Sequence, residues 1–140
     1  MLLGEFRHSL DPKGRVFLPA RWRDEMAGEV ILTAGLDRCL YISTPGKFEE
    51  MLTKLGDLDL ERRASRDYLR FLQAMSSEET VDKQGRMNIP QALREYAGLE
   101  KEVVITGAGI RAEIWSRSAW DAYRARVESN LEEIAEQAKV

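Results

Sequence analysis

The chain has 140 residues, with 24 acidic against 21 basic side chains for a net charge of −3, and is 44% hydrophobic and 32% charged. That length suits one ordinary domain, or two very small units sharing a core, and excludes a large catalytic domain. No apolar run approaches the roughly 20 residues of a bilayer-spanning helix, the N-terminus MLLGEFRHSL lacks the basic and apolar regions of a secretory signal, and the single Cys39 excludes an internal disulfide, so a soluble, cytoplasmic chain is expected.

Taken in chain order, EFRHSL reads as an extended segment running into a turn, and RVFL leads out of it. Asp11 at the turn's start can accept backbone N–H bonds, and Gly14 can take a positive φ, so the segment is expected to be a hairpin. Pro19 then opens a short helix, PARWRDEMA, which Gly28 closes. EVILTA and CLYIS follow as two strands around a turn containing Gly35. Thr44-Pro45 starts a helix with Phe48, Met51, Leu52 and Leu55 on one face, and Asp57 is expected to cap a second carrying Ala64, Tyr68, Phe71, Leu72 and Met75.

From there the order repeats. SEETV leads into a turn containing Asp82 and Gly85, RMNI leads out, Pro90 opens the short helix PQALREYA, Gly98 closes it, and EVVITG and AEIWS are the next strands. DPKGRVFLP begins at Asp11 and DKQGRMNIP at Asp82, a separation of 82 − 11 = 71 positions. Beyond the motifs, Glu25-Met26-Ala27-Gly28 matches Glu95-Tyr96-Ala97-Gly98, and after an insertion of Leu99 to Lys101, Val30-Ile31-Leu32-Thr33 matches Val103-Val104-Ile105-Thr106. The chain is therefore two copies of one unit. A last helix follows, with Ser118 and Asp121 as a capping box and an apolar stripe of Trp120, Tyr123, Val127, Leu131, Ile134 and Ala138. Two readings of that stripe stand: cover for the sheet of its own chain, or contact with a neighbouring subunit.

The repeated turn carries the candidate chemistry. Turn geometry explains Asp, Gly and Pro, but it does not require Arg15 and Arg86, nor basic neighbours at Lys13 and Lys83. A planar, permanently charged fork at a rigid corner suits phosphate and guanine recognition, although pairing with the turn's own Asp is also open to it. The basic residues Arg7, Arg21 and Arg23 gather near the first motif, while the tail after Trp120 is acidic. One His and one Cys cannot build a zinc site, no phosphate-cradling Gly-rich loop occurs, and strand alternation separates His8 from Ser9. No enzyme activity, metal, cofactor or small-molecule substrate is expected.

LDPKGRVFLP, LERRASRDYLRF and DKQGRMNIP followed by REYAGLEKEVVITG together resemble the MraZ family across essentially the whole chain. The family's mark, Asp-x-x-x-Arg once per repeat, is present as Asp11 with Arg15 and as Asp82 with Arg86. Two departures are Leu3, where an aromatic is common, and Asn88, on a strand position that could be apolar or β-branched. The resemblance implies an α+β fold in which two tandem SpoVT/AbrB-type swapped-hairpin units form one barrel-like pseudo-dimer with flanking helices. On that reading residues 1–55 are the first unit, 56–75 a connecting helix, and 76–140 the second unit with the C-terminal helix.

It further implies a transcriptional regulator, usually a repressor, that assembles into a ring-like homo-oligomer in the cytoplasm. The ring binds short direct repeats of duplex promoter DNA ahead of the division and cell-wall gene cluster, including its own gene, so the protein associates with the nucleoid. Arg15 and Arg86 are then expected to contact DNA, with Lys13, Lys83, Arg7, Arg21 and Arg23 adding phosphate contacts, while Asp11, Gly14, Asp82 and Gly85 hold the turns. The rival reading is a ring-forming protein-interaction module without direct DNA readout. No contact with a membrane is expected.

Overall fold

A computed structural model describes all of residues 1–140. Eight strands and five helices follow in the order β1 (Glu5–Ser9), β2 (Arg15–Phe17), β3 (Glu29–Ala34), β4 (Leu40–Ser43), α1 (Pro45–Leu55), α2 (Arg63–Ala74), β5 (Ser77–Thr80), β6 (Arg86–Asn88), α3 (Gln91–Tyr96), β7 (Glu102–Gly107), β8 (Ala112–Ser116), α4 (Arg117–Ser129) and α5 (Leu131–Gln137). The fold is mixed α+β. Its main sheet is six-stranded and antiparallel, in the order β1-β7-β8-β4-β3-β5, and a separate two-stranded ribbon pairs β2 with β6.

The two halves exchange strands. β1 pairs with β7 of the second half, β5 pairs with β3 of the first, and the ribbon takes one strand from each. The expected hairpin of β1 with β2 therefore exists as a turn but not as a ladder, because each of its strands finds its partner across the repeat. The pairings obey a pseudo-two-fold relation: His8 stands opposite Val103, and the corresponding Glu79 stands opposite Val30. Tyr41 opposite Glu113, and Val16 opposite Met87, are pairs of equivalent positions and mark where the axis passes. The sheet is open, with β1 and β5 as its two edges, and does not close on itself as a barrel.

Strand alternation divides the sheet's side chains between two layers. Val30, Leu32, Leu40, Ile42, Val103, Ile105 and Ile114 join Val16, Leu18, Met87 and Ile89 from the ribbon and its flanks in the main core. Trp22 and Leu93, from the segments after Pro19 and Pro90, complete it, and Phe6 meets Trp22 edge-on at 5.1 Å. The opposite face lies under helices. There Thr33 donates through Oγ1 to the Leu72 carbonyl at 2.9 Å, and Trp115, Tyr41 and Cys39 pack against Trp120 and Tyr123 of α4. Both faces of β3 are covered, which explains why Val30 to Ala34 is buried without interruption.

Several element ends differ from the sequence expectation. The segment after Pro19 forms a single 3-10 turn, Ala20–Trp22, whereas its counterpart after Pro90 forms a full α-helix. Asp57 does not cap α2: that helix starts at Arg63, and Asp59 instead accepts the Glu61 N–H in a local turn. The last helix starts from Ser116, whose Oγ accepts the Ala119 N–H at 3.2 Å, so Ser118 and Asp121 form no capping box. It also breaks at Asn130, which sits at φ −121° and ψ 23° and donates through Nδ2 to the Arg126 carbonyl at 2.9 Å. The Trp120 and Tyr123 end of its stripe covers the chain's own sheet, while Leu131 beyond the break is exposed. No helix is long and apolar enough to cross a membrane.

Candidate nucleic-acid interface

The two repeated turns fold almost identically. In the first, Asp11 Oδ1 accepts the backbone N–H groups of Lys13 and Arg15, both at 2.9 Å, and Oδ2 accepts Arg15 Nε at 2.6 Å. In the second, Asp82 Oδ1 accepts the N–H groups of Gln84 and Arg86, both at 2.9 Å, and Oδ2 accepts Arg86 Nε at 3.0 Å. Main-chain bonds close each turn: Asp11 N to Arg15 O at 2.9 Å, and Asp82 N to Arg86 O at 2.8 Å. Gly14 at φ 83° and Gly85 at φ 87° take the left-handed position where a side chain is strained.

Each Asp side chain binds the backbone of its own turn and the Nε edge of its own Arg. Each carboxylate uses two backbone donors and one guanidinium edge, leaving the terminal Nη groups of Arg15 and Arg86 without a partner inside the chain. The backbone N–H of Arg15 does most to hold the Asp11 carboxyl below the usual carboxylate range, against some desolvation, and Arg86 does the same for Asp82. Both turns therefore keep their charge pairs across the neutral range.

The turns also brace each other. Leu18 N donates to Gly85 O, and Ile89 N donates to Gly14 O, each at 2.9 Å, so each outgoing strand is pinned to the opposite turn. Arg94 lies against Gly14 and donates through Nε to the Ile89 carbonyl at 2.9 Å. Arg23 lies against Gly85 and donates to the Leu18 carbonyl at 3.4 Å. Arg94 was missed by sequence reasoning, although its offset from Arg23 equals the 71-residue separation of the motifs and marks the two as equivalent.

Arg15 and Arg86 share the outward face of the β2–β6 ribbon at diagonal positions, because their inward neighbours Val16 and Met87 are buried. Lys13 and Lys83 are exposed in the turns at either end, and exposed Arg23 stands beside the second turn. Exposed Arg21 lies 6.0 Å from the Phe6 ring on the 3-10 turn. Arg7 is held elsewhere. It is in register with Val104 and binds Asp121 of α4 at 2.8 Å and Glu5 at 3.4 Å, which raises its pKa through the Asp121 hydrogen bond first. His8 is pushed below its ordinary value, chiefly by burial and then by the charge of Arg23. No group of three or more His, Cys, Asp or Glu is placed to hold a metal ion.

Comparison with known proteins adds an independent line. The family described as "MraZ protein, putative antitoxin-like" matches the chain twice, over residues 1–71 and 73–140. Among curated relatives, the Transcriptional regulator MraZ of Clavibacter michiganensis subsp. michiganensis is 45% identical over 98% of this chain and 96% of its own length. The proteins of the same name from Desulforamulus reducens and Pelotomaculum thermopropionicum are 43% and 46% identical, each over 97% of this chain and over 96% and 94% of their own lengths. The double match falls on the two halves whose turns and strand pairings mirror each other, and the chain belongs to the MraZ family.

Proposed function

We propose that the chain is a sequence-specific, DNA-binding transcriptional regulator. The observation that carries this reading is the ribbon: two Asp-oriented arginine forks, one per repeat, set diagonally on the outward face of a two-stranded element. The relatives' shared name, Transcriptional regulator MraZ, supports it. Arg15 and Arg86 contact base edges or phosphates, Lys13, Lys83, Arg21 and Arg23 add phosphate contacts, and Asp11, Gly14, Asp82 and Gly85 hold the corners. Arg7, bound to Asp121, contributes only if that pair opens.

The units at residues 1–55 and 76–140, joined through 56–75, act as SpoVT/AbrB-type swapped hairpins. A handful of cationic contacts per subunit gives only about 10⁻⁴ to 10⁻⁶ M affinity in physiological salt. A ring of subunits on repeated boxes gains roughly 10² to 10⁴ in avidity without a new contact. We place it at direct repeats in the promoter of the division and cell-wall cluster, where the ring represses by excluding polymerase in the cytoplasm, at the nucleoid.

The test is binding of the purified protein to the fragment upstream of its own gene, against a scrambled fragment of equal length, at two salt concentrations. Preferential, salt-sensitive binding to the native fragment is expected. Equal or absent binding would overturn the reading in favour of a ring that engages protein partners.

A further inference from the structure

The outward face of the ribbon is not symmetric. Arg15 stands opposite Asn88, and Phe17 opposite Arg86, around the buried pair Val16 and Met87. The pseudo-two-fold axis through that pair exchanges Arg15 with Arg86, which are identical in type, and Phe17 with Asn88, which are not. Phe17 is 42% exposed. Its ring is flanked by two guanidinium groups, Arg86 and Arg23, each 5.9 Å from the ring centroid. Arg15 has no aromatic in this position, and its side chain is 36% exposed against 26% for Arg86.

A two-stranded antiparallel ribbon is narrow enough to enter the major groove of duplex DNA. Were its outward side chains two-fold symmetric, it would read the same contacts on either strand and select a palindromic box. Asn matches the N6 and N7 edge of adenine, whereas an apolar ring meets the thymine methyl group. The two ends of this ribbon therefore present different recognition chemistry beside matching arginines.

Resting on the DNA-binding reading above, we infer that Phe17 and Asn88 are specificity-determining residues that give the ribbon a direction on duplex DNA. Asn88 reads an adenine edge beside the Arg15 contact. Phe17 holds Arg86 in place and packs on a thymine methyl on the other side of the axis. Each box is then read in one sense only, and these two side chains are what would let the ribbon tell the direct repeats proposed above from inverted ones.

The experiment selects bound duplexes from a randomised library with the full-length protein, then measures discrimination by fluorescence anisotropy for the wild type, Asn88→Ala and Phe17→Asn. Both residues are exposed, so folding is checked by unchanged melting and unchanged elution volume. The wild type is expected to yield a box without two-fold symmetry. Asn88→Ala should lose about 5- to 150-fold discrimination at one base pair and leave the others intact. Phe17→Asn, which makes the outward face symmetric, should shift selection toward an inverted repeat. A sequence-specific wild type whose box is palindromic, or whose preferences survive both substitutions, overturns this inference and leaves the regulator reading standing. A wild type that selects no sequence overturns both.

Discussion

Arg94 of the second half covers Gly14 of the first, so closely that a methyl group on Gly14 would stand 2.8 Å from the guanidinium carbon. The mirror contact places Arg23 against Gly85. Each turn is thus completed by the other repeat. Gly14→Ala adds a Cβ at φ 83° and pushes on Arg94. We expect a loss of about 1–2 kcal/mol, mostly from the left-handed backbone. Urea unfolding at fixed protein concentration should show the midpoint falling with little change in slope.

Removing both arginine forks separates binding from folding. Arg15 and Arg86 make their side-chain hydrogen bonds only to the carboxylate of their own turn, and both are partly solvent-exposed. Solvent screens such partly exposed pairs, so each adds little to stability. The double change Arg15→Ala with Arg86→Ala is therefore expected to abolish specific DNA binding while leaving the melting curve and assembly size close to the wild type. An intact assembly that still binds the upstream fragment would show that the forks are structural.

The repeated turns were legible because their chemistry is local. Asp, Gly and Arg at fixed offsets dictate the carboxylate's three bonds in either copy, so the corners follow from nine residues of sequence. Strand exchange was implied by the family resemblance but was not legible in the residues of either segment. Nothing within EFRHSL or RVFL distinguishes pairing with each other from pairing across the repeat; that choice depends on which arrangement buries Val16, Met87, Leu18 and Ile89 together. The helix starts failed for a related reason. Ser116 ends β8 in register with Val103 and is already extended where the helix must begin, so it caps ahead of Ser118, and Asp121 is free to bind Arg7. Arg94 carried a signal in its 71-residue offset from Arg23, but its role as a brace needed the fold.

Ionic strength should report how many phosphates the corners engage. If Arg15, Arg86, Lys13 and Lys83 each neutralise one phosphate on duplex DNA, log affinity should fall with log salt at a slope of about −3.6 per engaged subunit. Lys13→Ala should make that slope shallower by about 0.9 and weaken all sequences alike. An unchanged slope would place Lys13 off the backbone.

Cys39 should be chemically silent in the native protein. It is buried beside Tyr41 and Trp115, and burial pushes its thiol up to about 12, with Glu113 and Asp37 adding to the effect. The thiolate is the reactive form, so alkylation by iodoacetamide at pH 8 should be negligible until denaturant is added. Rapid labelling of the folded chain would mean that the cluster over α4 opens readily.

The acid limb of stability should run through the two corner carboxylates. Asp11 and Asp82 are each held below their ordinary value, foremost by the backbone N–H of Arg15 and of Arg86. A depressed native pKa means that the unfolded chain binds protons first as pH falls. The stabilisation is fully present above the unfolded carboxylate value of about 3.9 and is lost as pH drops through the lower native values. Asp11 is half-buried and Asp82 exposed, so solvent screens both pairs and the effect is expected to be modest. Carboxyl carbon chemical shifts followed by NMR should give both residues midpoints below that of an unstructured Asp peptide. Asp11→Asn should raise the Asp11 turn's mobility, weaken orientation of Arg15, and remove one titrating group from the acid limb. If the acid unfolding curve of Asp11→Asn, measured at fixed concentration, coincided with that of the wild type, the Asp11 carboxylate would not be what holds the first corner.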